Sequence, residues 1–268
     1  IEINSYIYRE VVFVNISGKA LNFPKYAEKL MKRWKEHDKP LFHGGKESTF
    51  PFDVACNWKL AVENYSESYH LPWIHPGLNS YSRLEDHYHI EEPGSFSGQG
   101  TKVYRQIEAA DGLRFPDFSG LSEFWNEGAE YVSFFPNVLF AAQRDHAYAI
   151  ILLPQGPNRT IERNEIFYAF DPKNNPEFDE LIKENADYWI VDLGFDLIKI
   201  PERDCLKVTR NLSEESQQVS GTGNHLYRQN PRASVQPLGA LVERLGEAVV
   251  MIRTPTGLGS GFIVHQDG

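Results

Sequence analysis

The stretch Cys56–Pro76, which reads CNWKLAVENYSESYHLPWIHP, limits the local fold more than any other part of this chain. Nothing breaks a helix across Trp58–Tyr69, so a helix is predicted there. Pro72 cannot continue such a helix comfortably, and it disfavours helical geometry at Leu71. The chain must therefore fold around a helix that is interrupted within this stretch.

The polar residues of this stretch predict a metal site. At about 100° per residue, Glu63, Glu67 and His70 would share one narrow stripe of the helix. His70 and His75 would point about 140° apart on a regular helix, but a break between them can bring both imidazoles to one point. Two neutral imidazoles beside carboxylates suit iron, zinc or copper. The alternative is a structural helix that carries ordinary histidines.

A dense set of residues here matches a known pattern: Asn57-Trp58-Lys59, Glu63-Asn64-Tyr65, Glu67, Tyr69-His70 and His75-Pro76. It resembles the iron site of the Rieske non-haem iron oxygenases, in the catalytic domain of their α subunit. That family holds mononuclear Fe(II) with two histidines, separated by four residues, and a distant aspartate. The resemblance therefore implies His70 and His75 as iron ligands.

The same resemblance implies a third ligand on a long C-terminal helix. Asp204 matches best, because it follows Pro201 and Glu202 ahead of a further turn of helix. The residues after it, 205–210, keep little of the Cys-Glu-x-x-Gln-like pattern that is frequent in the family. Three other acids remain as alternatives, namely Asp192, Asp196 and Glu202.

Two further residues receive roles from the resemblance. Glu67 occupies the position of the acid that links an iron histidine to a Rieske-cluster ligand of the neighbouring subunit. A glutamate there looks more like the branch that oxidises quaternary ammonium compounds, such as choline and carnitine, than like the ring-dihydroxylating branch. Asn64 would line the iron pocket as a hydrogen-bonding group.

The resemblance predicts an oxidoreductase that hydroxylates or demethylates a small aromatic or quaternary ammonium substrate with O2 at Fe(II). It also implies a ferredoxin or reductase as electron donor and a homotrimer as the full-length assembly. Two alternatives stay open: a metal-free ligand-binding module of the same fold, and a zinc hydrolase that uses the same histidines. His87 and His89 alternate on a predicted strand, where they would line a substrate pocket or bind a metal of their own.

The cysteine count bears on electron delivery. A Rieske [2Fe–2S] cluster needs two cysteine and two histidine ligands. The sequence has only Cys56 and Cys205, and it lacks a Cys-x-His with a later Cys-x-x-His. We therefore expect the electron-delivering domain to be absent from this chain and Ile1 to mark a truncation.

Composition excludes two classes of partner. The formal net charge is −10, so neither a nucleic acid nor an anionic membrane is expected as the main partner. No run of about eighteen apolar residues predicts a membrane helix, and no signal peptide is recognisable. Two cysteines are too few for a disulfide framework and suit a reducing compartment, which predicts a cytoplasmic protein.

The order of predicted elements indicates an α+β fold. A helix is predicted over Pro24–His37, and a long helix is predicted from Pro176 onward, with no βαβ rhythm between the strands. The resemblance implies a helix-grip fold, an antiparallel sheet curled around that C-terminal helix. The predicted strands are residues 6–15, Tyr131–Asn137, Val138–Ala141, His146–Pro154 and Thr160–Phe170.

Three segments are predicted along the chain. Residues 1–20 would be the remnant of a Rieske-domain junction, and residues 21–229 the iron-binding catalytic domain. Residues 230–268 would be a linker followed by a fragment that resembles the opening of an HtrA-type serine protease. That resemblance is carried by Leu238–Ile252 and Gly257–Gly268, and the segment contains no catalytic triad.

Overall fold

A computed structural model describes the backbone of residues 3–188, 249–254 and 257–260, and the side chains of residues 3–186. Asp204 and its three alternatives lie outside these residues, as does most of the segment 230–268. The long C-terminal helix is described only as far as Tyr188.

The described chain forms twelve strands and seven α-helices. The strands are β1 (Asn4–Tyr8), β2 (Val11–Asn15), β3 (Phe42–His43), β4 (Thr49–Val54), β5 (His87–Glu92), β6 (Phe96–Thr101), β7 (Ala129–Phe134), β8 (Val138–Ala142), β9 (His146–Gly156), β10 (Arg159–Tyr168), β11 (Val249–Thr254) and β12 (Gly257–Ser260). The α-helices are α1 (Phe23–Tyr26), α2 (Glu28–Arg33), α3 (Trp58–Ser66), α4 (Leu71–Ile74), α5 (Pro76–Asn79), α6 (Phe124–Glu127) and α7 (Asp179–Tyr188). Single 3₁₀ turns lie at Lys35–His37, Lys46–Ser48, Leu84–Asp86, Pro172–Asn174 and Pro176–Phe178.

Eight of the strands form one antiparallel sheet in the order β3-β10-β9-β8-β7-β6-β5, with β4 also paired to β10. The long hairpin β9–β10 and the pair β7–β8 confirm the strands that were predicted there. A second, four-stranded sheet has the order β1-β2-β11-β12. The large antiparallel sheet with few helices confirms the α+β fold class.

The central strands of the large sheet are apolar on both faces. Neighbours along β8 point to opposite sides, so Leu139 and Phe140 belong to two different hydrophobic clusters. One cluster is closed by the N-terminal hairpin and by Leu30 and Trp34. The other is closed by α3 and α7, through residues such as Leu181. A sheet that is covered on both faces explains why these strands read as continuous apolar runs.

Two predicted elements differ from the structure. The single strand predicted over residues 6–15 is a hairpin, because Arg9 and Glu10 adopt positive φ angles of 50° and 62° and reverse the chain between β1 and β2. The single helix predicted over Pro24–His37 is divided into α1, α2 and a 3₁₀ turn. No described helix has the length and apolar character needed to cross a membrane.

The carboxylate of Glu130 on β7 fastens the α2 region to the sheet. It accepts hydrogen bonds from the Arg33 guanidinium at 2.7 and 2.8 Å, from Trp34 Nε1 at 2.6 Å and from the Tyr88 hydroxyl at 2.8 Å. Glu130 is only 4% exposed, and Trp34 is 2% exposed. Without this acceptor the Trp34 indole would be left unsatisfied in a buried environment, whereas Arg33, whose side chain is 37% exposed, could turn to solvent.

We expect Glu130→Ala to lower the free energy of unfolding by about 3 kcal/mol, because it leaves the buried indole N–H of Trp34 without an acceptor and breaks a partly buried ion pair. Urea denaturation of both proteins measures this difference. Glu28→Ala, which removes an exposed ion pair with Lys25, is the control and should leave the urea midpoint unchanged. Equal effects of the two substitutions would contradict the role assigned to Glu130.

Candidate metal centre

The stretch that carries His70 and His75 begins with a capped helix. The Asn57 side chain accepts a hydrogen bond from the Lys59 backbone N–H at 3.1 Å, which satisfies one free donor of the first turn of α3. The helix ends at Ser66, because Glu67 is extended with φ −123° and ψ 163°. The helix predicted to reach Tyr69 is therefore too long.

The break in this stretch lies before His70 and not between the two histidines. Helix α3 ends at Ser66, whereas the residues between His70 and His75 form the helical turn α4, with Pro72 in its first turn. The centroids of the two imidazole rings are 5.2 Å apart, with an angle of 75° between the ring planes. The two imidazoles are therefore close together, as predicted, but the position predicted for the break is wrong.

Glu67 contacts His70 through a tight turn and not along a helix face. Its Oε1 lies 2.5 Å from His70 Nδ1, and its Oε2 accepts a hydrogen bond from the Tyr69 backbone N–H. The predicted stripe of Glu63, Glu67 and His70 does not form, and Glu63 is exposed. A carboxylate on Nδ1 fixes the tautomer of the ring and leaves Nε2 as the ligating nitrogen, as in many metal sites.

A polar network supports this turn from the sheet. Gln99 on β6 donates to the Glu67 carbonyl at 2.8 Å, and its own amide oxygen lies 2.8 Å from His87 Nδ1. His87 Nε2 lies 3.1 Å from the Ser82 hydroxyl. Burial lowers the pKa of His87, so its ring is neutral near pH 7. His89, in contrast, lies at the surface beside Glu91.

The histidine pair opens onto a cavity of about 830 Å³ between the sheet, α3 and α7. Asn64, His70, His75 and His87 all line it, as predicted for Asn64 and for one of the two strand histidines. The cavity wall on the sheet side is formed largely by β9 and β10, including Tyr148, Ile150 and Glu162.

Two buried acids in or near the cavity wall were not predicted. Asp145 is fully buried and accepts from Tyr104 at 2.8 Å, while its Oδ1 lies 2.9 Å from His146 Nδ1. Burial would raise the pKa of Asp145, but His146, Tyr104 and Gln106 outweigh it and hold that pKa below its usual value. Glu162 on β10 is 7% exposed, and burial raises its pKa from 4.5 to about 7.

A signal for Glu162 exists in the sequence. Thr160, Glu162 and Asn164 alternate with Ile161 and Arg163 along one strand, so the three polar residues share a face. All three are buried. Polar side chains on the buried face of a strand indicate a cavity, but only once it is known which face the helices cover.

The residues that could hold a metal are described only in part. Two imidazoles with one tautomer fixed by a carboxylate are a donor set that fits iron or zinc. Within residues 3–186 no group of three metal-ligating side chains comes together. The predicted third ligand, Asp204, lies outside the described residues, so the complete triad remains a prediction.

Comparison with known proteins identifies the described domain. Residues 27–192 match the family model described as "Ring hydroxylating alpha subunit (catalytic domain)". Putrescine 2-hydroxylase of Ralstonia nicotianae is 29% identical over 126 residues, which are 43% of this chain and 33% of that protein. Putrescine 2-hydroxylase of Bordetella bronchiseptica is 27% identical over 122 residues, 42% of this chain and 27% of that protein. The matches span about a third of the length of these relatives or less.

Solved structures share the fold at low sequence identity. A quaternary ammonium Rieske monooxygenase in complex with an inhibitor is 16% identical, with a TM-score of 0.56 over 81% of this chain and 53% of that one. Naphthalene 1,2-dioxygenase from Rhodococcus sp., bound to indole, is 15% identical, with a TM-score of 0.52 over 91% and 61%. At such identities the likeness establishes the fold of the sheet and its helices.

The raised pKa of Glu162 has a consequence for stability. Between pH 4.5 and 7 the unfolded chain loses the Glu162 proton while the folded chain keeps it. The unfolded state therefore binds fewer protons, and the free energy of unfolding falls as pH rises through this window, by up to about 3 kcal/mol.

We expect Glu162→Gln to remove this component, so that the variant gains stability relative to wild type between pH 4.5 and pH 8. Urea denaturation at half-unit pH steps measures it, since the other titrating groups cancel in the difference. Glu127→Gln removes an exposed acid of the same cavity rim and is expected to leave the pH profile unchanged. A difference in the free energy of unfolding between Glu162→Gln and wild type that stays constant across this pH range would contradict the raised pKa of Glu162.

Proposed function

The chain belongs to the ring-hydroxylating α-subunit family, and from that membership we propose that it supplies the catalytic domain of a Rieske-type oxygenase. The proposed reaction is the O2-dependent hydroxylation of a small organic substrate at mononuclear Fe(II). The observation that carries it is the pair His70 and His75. These histidines flank the short helix α4, line the cavity and have rings 5.2 Å apart.

We assign His70, His75 and Asp204 as the iron ligands. This set would hold the metal by one face and leave positions for O2 beside the substrate. Bound iron would supply O2 activation, in which one oxygen atom enters a C–H bond and the other leaves as water, with two electrons and two protons consumed. The residues of the chain hold the ligands in place and exclude competing reactions from the cavity.

Glu67 has two proposed tasks. Its carboxylate on His70 Nδ1 keeps that ring in the orientation and tautomer that ligation needs. Its side chain is 31% exposed, so the same carboxylate can be reached from outside the domain. This accessibility supports a role as the link between the iron histidine and an electron donor on a neighbouring subunit.

The electron donor is assigned to a [2Fe–2S] cluster whose ligands lie outside residues 1–268, reduced in turn by a ferredoxin or a reductase. A homotrimer would place such a cluster beside Glu67 of the adjacent protomer. Asn64, on the cavity side of α3, is assigned to hydrogen bonding within the pocket.

The names of the relatives indicate only a broad class of substrate. The curated relatives are named for putrescine, and one structural neighbour is named for quaternary ammonium compounds. Both names denote small organic cations, whereas naphthalene 1,2-dioxygenase is named for an aromatic hydrocarbon. We propose a small nitrogen-containing substrate.

We expect about one iron per chain in protein loaded anaerobically with Fe(II), and loss of that iron in His70→Ala and Asp204→Ala, because each removes a ligand. Metal analysis after desalting measures this. His89→Ala removes an exposed histidine from the same region and should keep the iron. Iron retained in Asp204→Ala would move the third ligand to Asp192, Asp196 or Glu202.

The same assay separates the alternative functions. Zinc retained in preference to iron would support a hydrolase, and wild-type protein without any metal would support a ligand-binding module.

We expect Glu67→Ala to keep the iron site but to weaken Fe(II) affinity by about 10- to 100-fold, because the ring of His70 loses the carboxylate that orients it. Titration with a competing chelator measures the affinity. Glu63→Ala, one turn earlier on α3 and exposed, is the matched control. Equal affinities in the two variants would remove Glu67 from the metal site.

A further inference from the structure

Glu162 is a buried carboxyl group that faces the cavity without a counter-ion in the described part of the chain. Strand β10 is paired on both sides, with Glu162 opposite Phe52 on β4 and opposite Leu152 on β9. The backbone of Glu162 is therefore fixed between apolar cross-strand neighbours. No side chain among residues 3–186 donates a hydrogen bond to it or forms an ion pair with it.

The other charged groups of the cavity wall are satisfied or exposed. Arg144 pairs with Asp117 at 2.5 Å, and Arg114 pairs with Glu108. Arg105 and Glu127 are exposed to solvent. Among the described residues, Glu162 is thus the buried cavity group that lacks a partner of opposite charge.

The second buried acid near the cavity differs in this respect. The carboxylate of Asp145 already accepts from Tyr104 and Gln106 and lies beside His146. It also belongs to the opposite end of the inner face, since His146 pairs with Tyr168 on β10, whereas Glu162 pairs with Leu152 on β9. A cation that enters the cavity therefore finds its unsatisfied partner at Glu162.

One aromatic ring lies in the neighbourhood of Glu162. Tyr65 is near enough for the Glu162 charge to contribute to the raised pKa of its phenol, although burial is the larger cause. The rings of Tyr148 and Tyr131, 6.4 and 6.3 Å from that of Tyr65, belong to the part of the cavity nearer Asp145, since Tyr148 pairs with Ile166, four residues along β10 from Glu162. An aromatic ring near a carboxylate favours an organic cation.

We propose that the Glu162 end of the cavity binds the primary ammonium group of an alkylamine substrate. This inference rests on the proposed function and names the substrate class of that site. A carboxylate offers about four lone-pair positions, and a primary ammonium group brings three N–H donors as well as the opposite charge. A quaternary ammonium ion has no N–H group, so it would leave the buried carboxylate without hydrogen bonds. The substrate is thus an alkylamine or diamine whose hydroxylated carbon lies toward the histidine pair.

The test is isothermal titration of the full 268-residue chain at pH 8 with n-butylammonium, tetramethylammonium and n-butanol. We expect n-butylammonium to bind, tetramethylammonium to bind at least about tenfold more weakly and n-butanol not to bind. In Glu162→Gln, affinity for n-butylammonium should fall by about 10- to 100-fold. Glu127→Gln removes the same charge from the exposed rim and should bind as wild type does.

Three results would overturn the proposal: no binding of n-butylammonium, equal affinity in wild type and Glu162→Gln, or tetramethylammonium bound as tightly as n-butylammonium. Circular dichroism confirms that each variant is folded. The titrations are repeated on metal-free protein and on His70→Ala. Because ammonium binding at Glu162 does not require the metal, its failure with iron stoichiometry intact counts against this inference alone. Loss of iron binding with ammonium binding intact counts against the oxygenase assignment alone.

Discussion

The end of helix α3 at Glu67 is the constraint on which the site depends. One carboxylate accepts from the backbone N–H of Tyr69 with one oxygen and contacts His70 Nδ1 with the other, so the turn and the orientation of the imidazole are fixed by the same group. Pro72 then prevents the helix from resuming at its former angle. If α3 continued as a regular helix, His70 and His75 would point to different sides, and no single metal ion could bind both.

The sheet provides the rigidity that this turn requires. The central strands β8 and β9 are largely apolar on both faces, so both sides of the sheet are covered by other parts of the chain. Helix α3 is fastened to the inner face, because the Tyr65 hydroxyl donates a hydrogen bond to the Phe140 carbonyl at 2.9 Å. Ser66 is held to Ser133 on β7 at 2.7 Å. A helix fastened at its last two residues presents the following turn at a defined position over the sheet.

Elements that depend on a local sequence pattern were predicted correctly. The hairpin β9–β10 and the pair β7–β8 follow from alternation along the strands, and each was predicted. Pro72 indicated that the helix is interrupted in this stretch, but the interruption lies at Glu67 and not between His70 and His75. The hairpin turn at Arg9 and Glu10 was missed because neither residue is one that usually adopts positive φ. Glu162 and Asp145 were missed because their importance depends on which sheet face the helices cover, a tertiary property that strand periodicity does not contain. Asp204 could be chosen only by resemblance, since a single acid near a helix end has no distinguishing local pattern.

Tyr65 lies near both the segment that carries the histidine pair and the strand that carries Glu162. It precedes Glu67 on the metal-binding stretch by two residues, yet its hydroxyl lies 3.1 Å from that of Tyr148 on β9, and its ring is within the field of Glu162 on β10. The separation between the carboxylate and the histidine pair is therefore set by packed secondary structure and not by a mobile loop. With the proposed ligands at one place and the Glu162 carboxylate at another, such a cavity would select substrates by the distance between their charged group and their reacting carbon. Selection by length needs no contact with the atoms in between, which is why the intervening wall can be built from Ile150 and other apolar core residues.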